Sequence, residues 1–418
     1  MLGQSCKLKV LLKKIYRLTI LFYKNSGLAL QQFRLFPQWF YYNIYRGFLP
    51  FFARANKRVF HFGVPDIGGN SGDFILYSMV ETSFDKVLGE KQKWITRHVR
   101  FGEVTAKEVE LINKYGKYLI IGGHGLFMVD TNKNNNSGWQ FNITLENLKA
   151  IKIPIIIFAI GYNRFRGQED FSPVFNKHIE VLLSKSIFFG LRNYGSIEAI
   201  KRYAPKHLHD KIKFQPCPTT VAAQLFPSRI KSQKIDTPRK IAFCLAFDRQ
   251  KYRFGGKHST IFEKLIALMN ELKRNKWEVS VVVHLMSDLD NNITNLFNKN
   301  GYVIIPLFNK TMDETLDFYA EMDLIVGMRG HSLMIPFGLE VPVISLTTQD
   351  KQKWFIETTN HPEWSIEIEN ENFDKDLAKT INYISDNYSD TKKIIRSKQM
   401  DFWEVTKSNI EQIKKLKY

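Results

Sequence analysis

The sequence predicts an α/β fold of two Rossmann-like, doubly wound domains, with a basic and aromatic helical segment in front of them. Three observations lead to this prediction. The chain has 418 residues, more than one hydrophobic core usually serves. From Arg58 onward, short apolar runs alternate with helical patterns at the spacing of strand–helix–strand units. A polar stretch bounded by prolines, residues 228–238, divides this series into two parts of similar size.

Residues 1–57 form an N-terminal segment with an unusual charge pattern. The chain carries 60 basic and 41 acidic residues, a formal charge of +19, yet no acidic residue precedes Asp66. The basic residues before that point are Lys7, Lys9, Lys13, Lys14, Arg17, Lys24, Arg34, Arg46, Arg54, Lys57 and Arg58. Phe, Trp and Tyr residues stand between them. Such a segment suits the interface of an anionic bilayer, where rings lie at headgroup depth and each cation contributes about 1 kcal/mol.

This N-terminal segment has the pattern of neither a spanning helix nor a signal peptide. Charged residues interrupt every stretch of spanning length, and no uncharged core precedes a small-residue cleavage site. We therefore expect a peripheral position at the cytoplasmic face of the membrane. An N-terminal pair of helices packed on the body of the protein is the alternative. We expect no nucleic-acid partner, because no recognised nucleic-acid motif follows.

The elements of the two predicted domains follow from the apolar runs. In the first domain, residues 58–227, a glycine-rich turn at 68–73 precedes a helix at 74–80, and the predicted strands are 59–62, 118–121, 155–160, 187–191 and 212–215. In the second domain, residues 239–370, the predicted strands are 240–246, 279–284, 302–306, 323–327 and 341–346, with helices at 260–274, 311–321 and 332–338. Residues 371–418 read as one or two helices. Two such domains place a binding site in the cleft between them.

The stretch 323–332 contains the most informative candidate residues. Its apolar run is typical of a buried strand in a parallel sheet, and Arg329 and His331 follow where the run ends. Ligands bind at the carboxyl ends of strands in open α/β sheets. Arg supplies planar donors for phosphate or carboxylate, and His supplies a titratable proton near neutral pH. The alternative is an Arg paired with a local carboxylate and a His held by backbone groups.

Other predicted strand ends carry similar residues. The turn after the first strand contains Gly69, Asn70 and Asp73, and its free amides can face an anion or sugar hydroxyls. His124 stands among three glycines after the second predicted strand, and Arg192 follows a later one. Because the carboxyl ends of parallel strands share one edge of a sheet, we expect these side chains to converge. A helix-capping turn and a surface Arg are the purely structural alternatives.

The residue types in these loops exclude several kinds of site. They contain no cysteine and no clustered carboxylates, so we expect no metal site. The turn 68–73 lacks the Lys-Ser/Thr of a Walker loop, and no Gly-x-Ser-x-Gly elbow follows a strand. The three cysteines, Cys6, Cys217 and Cys244, are far apart, which favours a reducing compartment. What remains is a site that holds an anionic small molecule against a polar acceptor, as in a group transferase.

Taken in order, these motifs resemble those of the polysaccharide pyruvyltransferase family, whose fold is similar to the two-domain GT-B glycosyltransferases. The matching motifs are the Asn-x-Gly-Asp turn at 70–73, the glycine cluster at 122–125, Arg192 with Ser196, Arg329 with His331, and Val-Pro at 341–342 followed by Lys351. Two positions depart from the family pattern. Gln-Pro-Cys-Pro stands at 215–218 where the family often has Asp-Pro-Ala, and Gly330 replaces a larger residue.

The resemblance implies transfer of the pyruvyl group of phosphoenolpyruvate onto a sugar as a cyclic ketal, with release of phosphate and without a metal or organic cofactor. The acceptor would belong to an exopolysaccharide, a capsule or a lipid-linked saccharide. His331 would be the general acid or base, and Arg329 would neutralise the anionic donor. These two are the predicted catalytic residues. The predicted substrate-binding residues are Gly69, Asn70, Asp73, His124, Arg192, Ser196 and Lys351. A GT-B glycosyltransferase with a nucleotide-sugar donor and a non-enzymatic membrane-bound scaffold are the alternatives.

Overall fold

The computed structural model describes residues 57–65, 69–230, 239–256, 258–289 and 291–416. The predicted membrane-surface segment falls almost wholly on residues 1–56, outside the described residues, as do residues 231–238 of the predicted linker. In the described part of the chain, no helix combines the length and the apolar character needed to cross a membrane.

Six parallel strands form the first sheet. They are β1 (Arg58–Gly63), β2 (Trp94–His98), β3 (Gly116–Gly122), β4 (Ile155–Ile160), β5 (Ser186–Leu191) and β6 (Ile212–Phe214), in the order β2-β1-β3-β4-β5-β6. The helices of this half are α1 (Ser71–Leu88), α2 (Ala106–Tyr115), α3 (Leu145–Ala150), α4 (Pro173–Lys185), α5 (Tyr194–Lys201) and α6 (Ala222–Leu225). The five predicted strands are confirmed to within two residues at each end, whereas β2 was not predicted.

A second six-stranded parallel sheet follows. Its strands are β7 (Lys240–Leu245), β8 (Glu278–Val283), β9 (Ile304–Pro306), β10 (Leu324–Gly327), β11 (Val343–Thr347) and β12 (Ser365–Glu367), in the order β12-β11-β10-β7-β8-β9. The helices are α7 (Gln250–Phe254), α8 (His258–Arg274), α9 (Asn291–Lys299), α10 (Met312–Ala320), α11 (His331–Gly338), α12 (Asp350–Thr358), α13 (Phe373–Asp386) and α14 (Tyr388–Lys415). Strand β12 and helices α7, α9 and α12 were not predicted.

The strand sequences explain why both sheets lie inside the protein. Every residue of β4 is buried, and so is every residue of β10. A strand buried on both faces needs apolar residues at successive positions rather than alternate ones, and helices then cover the two faces of the sheet. The continuous apolar runs that predicted these strands are therefore a direct consequence of the doubly wound architecture.

The two domains are joined by more than the chain between them. Helix α14 runs back from the second domain to the first, where Nδ2 of Asn409 donates a hydrogen bond to the carbonyl of Phe214 at 2.9 Å. Arg166 of the first domain pairs with Asp350 at 2.7 Å and with Glu367 at 2.8 Å in the second domain. These contacts set the relative position of the two carboxyl edges that form the site.

Candidate active site

A cleft of about 250 Å³ lies between the domains, and its walls are the loops that follow the strands of both sheets. This is the place that the strand-end argument predicted for the site. The residues lining it are Gly69, Asn70, Asp73, Arg100, Gly125, Met128, Thr131, Asn163, Phe165, Arg192, Asp248, Arg249, Arg253, His284, Leu285, Arg329, Gly330, His331 and Lys351. Seven of the nine predicted site residues are among them.

Asp73 lies at the start of helix α1, between two histidines. Oδ1 of Asn70 caps this helix by accepting a hydrogen bond from the amide of Gly72 at 3.0 Å, so this part of Asn70 is engaged in the turn. Oδ1 of Asp73 is 3.4 Å from Nδ1 of His124 and 3.5 Å from Nδ1 of His331. Burial raises the pKa of Asp73, but its contacts with the two histidines and with a nearby arginine outweigh burial and hold the pKa below its ordinary value. Asp73 is therefore ionised.

His331 begins helix α11 and presents one free ring nitrogen to the cleft. Its Nδ1 faces Asp73, and its Nε2 is buried with no hydrogen-bond partner among the described residues. Burial lowers the pKa of His331 well below its ordinary value, although the carboxylate of Asp73 acts in the opposite direction. The imidazole is therefore neutral at neutral pH. The ring approaches helix α1 so closely that a Cβ added at Gly72 would lie 2.3 Å from the Cβ of His331.

His124 and Ser196 support the site from behind and do not line the cleft, which differs from their predicted role as substrate-binding residues. His124 has a left-handed backbone, with φ of 67°, and its Nε2 accepts a hydrogen bond from the amide of Val64 at 3.1 Å. The ring proton is consequently on Nδ1, the atom that faces Asp73. The hydroxyl of Ser196 accepts a hydrogen bond from the amide of Tyr162 at 3.0 Å. Both residues are fully buried.

Arg329, predicted together with Arg192 to neutralise the anionic donor, lines the cleft and is already paired with carboxylates of the protein. Its Nη2 is 2.7 Å from both oxygens of Asp288 and 2.7 Å from Oδ1 of Asp248. Burial lowers the pKa of Arg329, but the two carboxylates outweigh it and raise the pKa overall. Asp288 has no exposed surface, so Arg329 is the counter-ion of a buried acid. The sequence left open an Arg paired with a local carboxylate, and the carboxylates that pair with Arg329 are instead 41 and 81 residues away in the chain.

Arg192 and Lys351 are the cations of the cleft that no carboxylate neutralises in the described part of the chain. The Arg192 guanidinium crosses Gly161, where an added Cβ would lie 2.2 Å from its Nε, and this Nε is buried with no hydrogen-bond partner among the described residues. Burial lowers the pKa of Arg192. Burial, together with the charges of Arg192 and other arginines, lowers the pKa of Lys351 well below its ordinary value. An anion entering the cleft would relieve both groups.

Several residues of the cleft were missed by the sequence argument. Asp248 lies two residues beyond the predicted strand 240–246, and His284 is the last residue of the predicted strand 279–284, so the strand-end argument had the information to find them. Arg100 follows β2. Because this strand was not predicted, the strand-end argument could not find Arg100. Asn163 lies three residues beyond the predicted strand 155–160, and it is buried with its Oδ1 unpartnered among the described residues.

The lining has a marked excess of positive charge. It contains six basic side chains against two acidic ones. Such a balance favours a ligand with several negative charges. Within the described residues, no group of three or more His, Cys, Asp or Glu side chains is arranged to hold a metal ion.

Comparison with known families decides the class of this protein. The model of a family described as polysaccharide pyruvyl transferase matches residues 35–350. The chain belongs to the polysaccharide pyruvyl transferase family. Membership makes it a polysaccharide-modifying transferase and confirms the family resemblance drawn from the motifs. Among curated proteins, no sequence matches significantly.

Solved structures with a similar fold have low sequence identity to this pyruvyl transferase family member. One is the UDP-GlcNAc 2-epimerase of Neisseria meningitidis bound to UDP-GlcNAc, with 12% identity, coverage of 86% of this chain and 100% of that chain, and a TM-score of 0.50. Another is a putative UDP-N-acetylglucosamine 2-epimerase of Listeria monocytogenes, with 12% identity, coverage of 82% and 91%, and a TM-score of 0.49. The first likeness concerns the fold alone. The predicted GT-B-like arrangement of two Rossmann-like domains is confirmed.

Proposed function

We propose that this protein transfers the pyruvyl group of phosphoenolpyruvate onto two hydroxyls of a sugar, forming a ketal and releasing phosphate. The acceptor sugar would belong to a polysaccharide or a lipid-linked saccharide. The observation that carries the proposal is the combination, in one cleft, of the free Nε2 of His331 with the unneutralised cations Arg192 and Lys351. The reaction needs both a proton carrier and a binder for a strongly anionic donor.

The donor carries a phosphate and a carboxylate close together. Arg192 has a planar fork of donors suited to bidentate contact with either group, and Lys351 acts as a point charge. The arginines that the second domain contributes to the cleft, Arg249, Arg253 and Arg329, are already paired with carboxylates. We therefore place the donor against Arg192 and Lys351 and assign Arg329 a supporting role.

The chemistry requires movement of two protons. A proton added to the methylene carbon of phosphoenolpyruvate makes the neighbouring carbon electrophilic, and a sugar hydroxyl attacks it. The bond to phosphate then breaks, with its electron pair leaving on the phosphate oxygen, and the second hydroxyl closes the ketal. Of the two hydroxyl protons lost, the balance places one on the new methyl group and one on phosphate.

His331 is suited to proton transfer in this reaction. Its imidazole is neutral, because burial lowers its pKa. The negative charge of a bound donor raises the pKa of a neighbouring histidine, so His331 can take up a proton when phosphoenolpyruvate binds. It then serves as the acid for the methylene carbon and afterwards as the base for a hydroxyl. Asp73 orients the ring through Nδ1.

Phosphate release from phosphoenolpyruvate, assayed with a panel of galactosides, glucosides and mannosides, tests the proposal. With a competent acceptor, His331→Ala should lower the rate by about 10²–10⁴-fold while leaving donor binding in place, because a general acid or base contributes that much. His361→Ala is the matched control, since His361 pairs with Glu363 at the surface. An unchanged rate in His331→Ala would remove His331 from the mechanism.

The nucleotide-sugar alternative makes a different prediction about ligands. Phosphoenolpyruvate should raise the melting temperature if the pyruvyl donor binds, whereas UDP or GDP should raise it if a glycosyl donor binds. Stabilisation by a nucleotide and not by phosphoenolpyruvate would favour the glycosyltransferase.

We also propose that residues 1–57 hold the protein at an anionic membrane surface. This proposal rests on their ten basic residues, which Arg58 follows, and on their aromatic residues. Liposomes rich in anionic lipid should sediment the full chain, and a chain beginning at Lys57 should stay in the supernatant. Equal sedimentation of the two would contradict this location.

A further inference from the structure

A second histidine of the cleft, His284, has no role in the steps assigned to His331. It follows strand β8, its side chain has no exposed surface, and it lines the cleft. Its Nδ1 has no hydrogen-bond partner among the described residues. A buried polar atom without a partner costs about 1–3 kcal/mol, so its presence in a substrate cleft calls for a ligand contact.

The ring of His284 is held in one orientation from its other nitrogen. Nε2 is 2.5 Å from the hydroxyl of Tyr319, a buried residue of helix α10, and that hydroxyl donates to Sγ of Cys244 at 3.9 Å. Either the ring nitrogen or the hydroxyl can supply the proton of the first contact, and the tautomer protonated at Nε2 leaves the lone pair on Nδ1. In that tautomer Nδ1 of His284 is a hydrogen-bond acceptor.

The position of His284 connects it to the rest of the site. Its carbonyl accepts a hydrogen bond from the amide of Ser71 at 3.4 Å, at the start of the helix that carries Asp73. His284 and His331, which follow different strands of the second sheet, therefore contact the same end of helix α1. Acceptors are scarce in this cleft, because its lining contains six basic side chains, Lys351 among them, and these supply donors.

We infer that Nδ1 of His284 is the second proton carrier of the reaction, taking the proton of one attacking hydroxyl and passing it to the leaving phosphate. This inference rests on the proposed function. In this step the sugar oxygen forms a bond to the central carbon of the pyruvyl group, and the bond from that carbon to the phosphate oxygen breaks. The electron pair leaves on phosphate, and the hydroxyl proton reaches a phosphate oxygen through Nδ1.

Two carriers fit the reaction better than one because two hydroxyl protons go to two destinations. His331 has a single free nitrogen and is assigned to the methylene carbon. Burial and the nearby charge of Arg329 lower the pKa of His284 to about 3, so the ring is neutral at neutral pH. A weak base is sufficient here, since the sugar oxygen becomes strongly acidic once it has attacked an electron-poor carbon, and phosphate is the stronger base that receives the proton.

Variants of His284 and Tyr319 test the assignment in the full-length protein. His284→Ala should keep its affinity for phosphoenolpyruvate, measured by calorimetry, and lose about 10²-fold in kcat, the lower range for general base catalysis. Added imidazole should restore part of the lost rate. Tyr319→Phe keeps the ring volume but removes the group that sets the orientation and tautomer of His284, so kcat should fall by about tenfold or more with an unchanged KM for the donor.

His178→Ala is the matched control, because His178 is also a fully buried histidine with an unpartnered Nε2, but it lies outside the cleft against Trp139. It should share any loss that comes from weaker packing and show no recovery with imidazole. A His284→Ala protein as active as the parent, or one whose loss equals that of His178→Ala without imidazole recovery, would overturn the assignment. So would a loss confined to phosphoenolpyruvate binding, which would make His284 a donor-binding residue.

Failure of the proposed function has a different outcome. A parent protein that neither binds phosphoenolpyruvate nor releases phosphate from it would overturn the pyruvyl transfer and this assignment together. An active parent with an unaffected Tyr319→Phe and His284→Ala would overturn this assignment alone. If His284→Ala does not fold, Tyr319→Phe supplies the decisive comparison, because it leaves the histidine and the packing in place.

Discussion

Replacing Gly72 with alanine changes the distance between helix α1 and the candidate general acid His331. A Cβ at this position would lie 2.3 Å from the Cβ of His331 and 2.6 Å from its Nδ1. Gly72 lies in the first turn of α1 and its φ is not in the left-handed region, so alanine meets no backbone strain. The perturbation is therefore purely a matter of the space between two elements.

The size of the effect follows from the displacement that the added methyl group demands. Ordinary contact begins at 3.4 Å, so His331 or the start of α1 must move by about 1 Å. A shift of about 1 Å at a reacting group lowers the rate by about 10²-fold. Overpacking costs about 1–3 kcal/mol of stability, and the better helix propensity of alanine offsets up to about 1 kcal/mol of it. We expect a folded protein with a kcat about 10²-fold lower.

Phosphate release with an acceptor, together with calorimetry of phosphoenolpyruvate, measures this effect. Gly330→Ala is the control: it is the residue next to His331, and the nearest atom to its added Cβ is Cε of Met334 at 3.9 Å. We expect it to fold and to retain most of its activity. A folded Gly72→Ala with the activity of the parent would refute the reasoning, because the ring position would then not depend on this contact.

Three further predictions separate the roles of individual residues. Arg192→Met should weaken phosphoenolpyruvate binding about 10–100-fold in calorimetry, the loss expected for a charge-assisted contact, without lowering the urea midpoint, because no described carboxylate is left behind; unchanged affinity would contradict this. Arg329→Met should lower the free energy of unfolding in urea by about 3–5 kcal/mol, since it leaves Asp288 as a buried charge without its counter-ion; an unchanged urea midpoint would show that Arg329 is not needed for stability. Burial lowers the pKa of His178 to about 4 in the folded state, so the unfolded chain binds more protons below its ordinary pKa of 6.5. Unfolding free energy should then fall as pH falls from 6.5 to 4, by about 1.4 kcal/mol per pH unit from this group, and His178→Gln should lose that part of the slope in urea titrations at several pH values.

The strands that were not predicted have a common physical cause. Strands β2 and β12 each lie at an edge of a sheet. An edge strand is covered less completely than a central one, so polar residues are tolerated, as in the Trp-Ile-Thr-Arg-His sequence of β2. The continuous apolar run that marks a central strand is then absent. Because β2 was not predicted, Arg100 was not predicted either, although it reaches the cleft from the carboxyl end of β2.

The prediction about Arg329 shows where reasoning from sequence reaches its limit. The position of Arg329 at a strand end was predicted, but its partners come from loops 81 and 41 residues away, those of Asp248 and Asp288. No local spacing in the sequence indicates that these loops meet. Arg192 looked equally suited to an ion pair in sequence, yet it has no carboxylate among the described residues.

The order of residues already contains the two α/β domains, the edge where their strands end, and most of the side chains that meet there. It also contains the Arg-x-His pair of the family, Arg329 and His331, after one buried strand. Packing in three dimensions settles which of these groups are still free to bind. It pairs Arg329 with Asp288, leaves Arg192 open, and turns a second buried histidine, His284, toward the cleft. The reason is that charge and proton affinity depend on distances between elements far apart in the chain, whereas strand identity depends on neighbours.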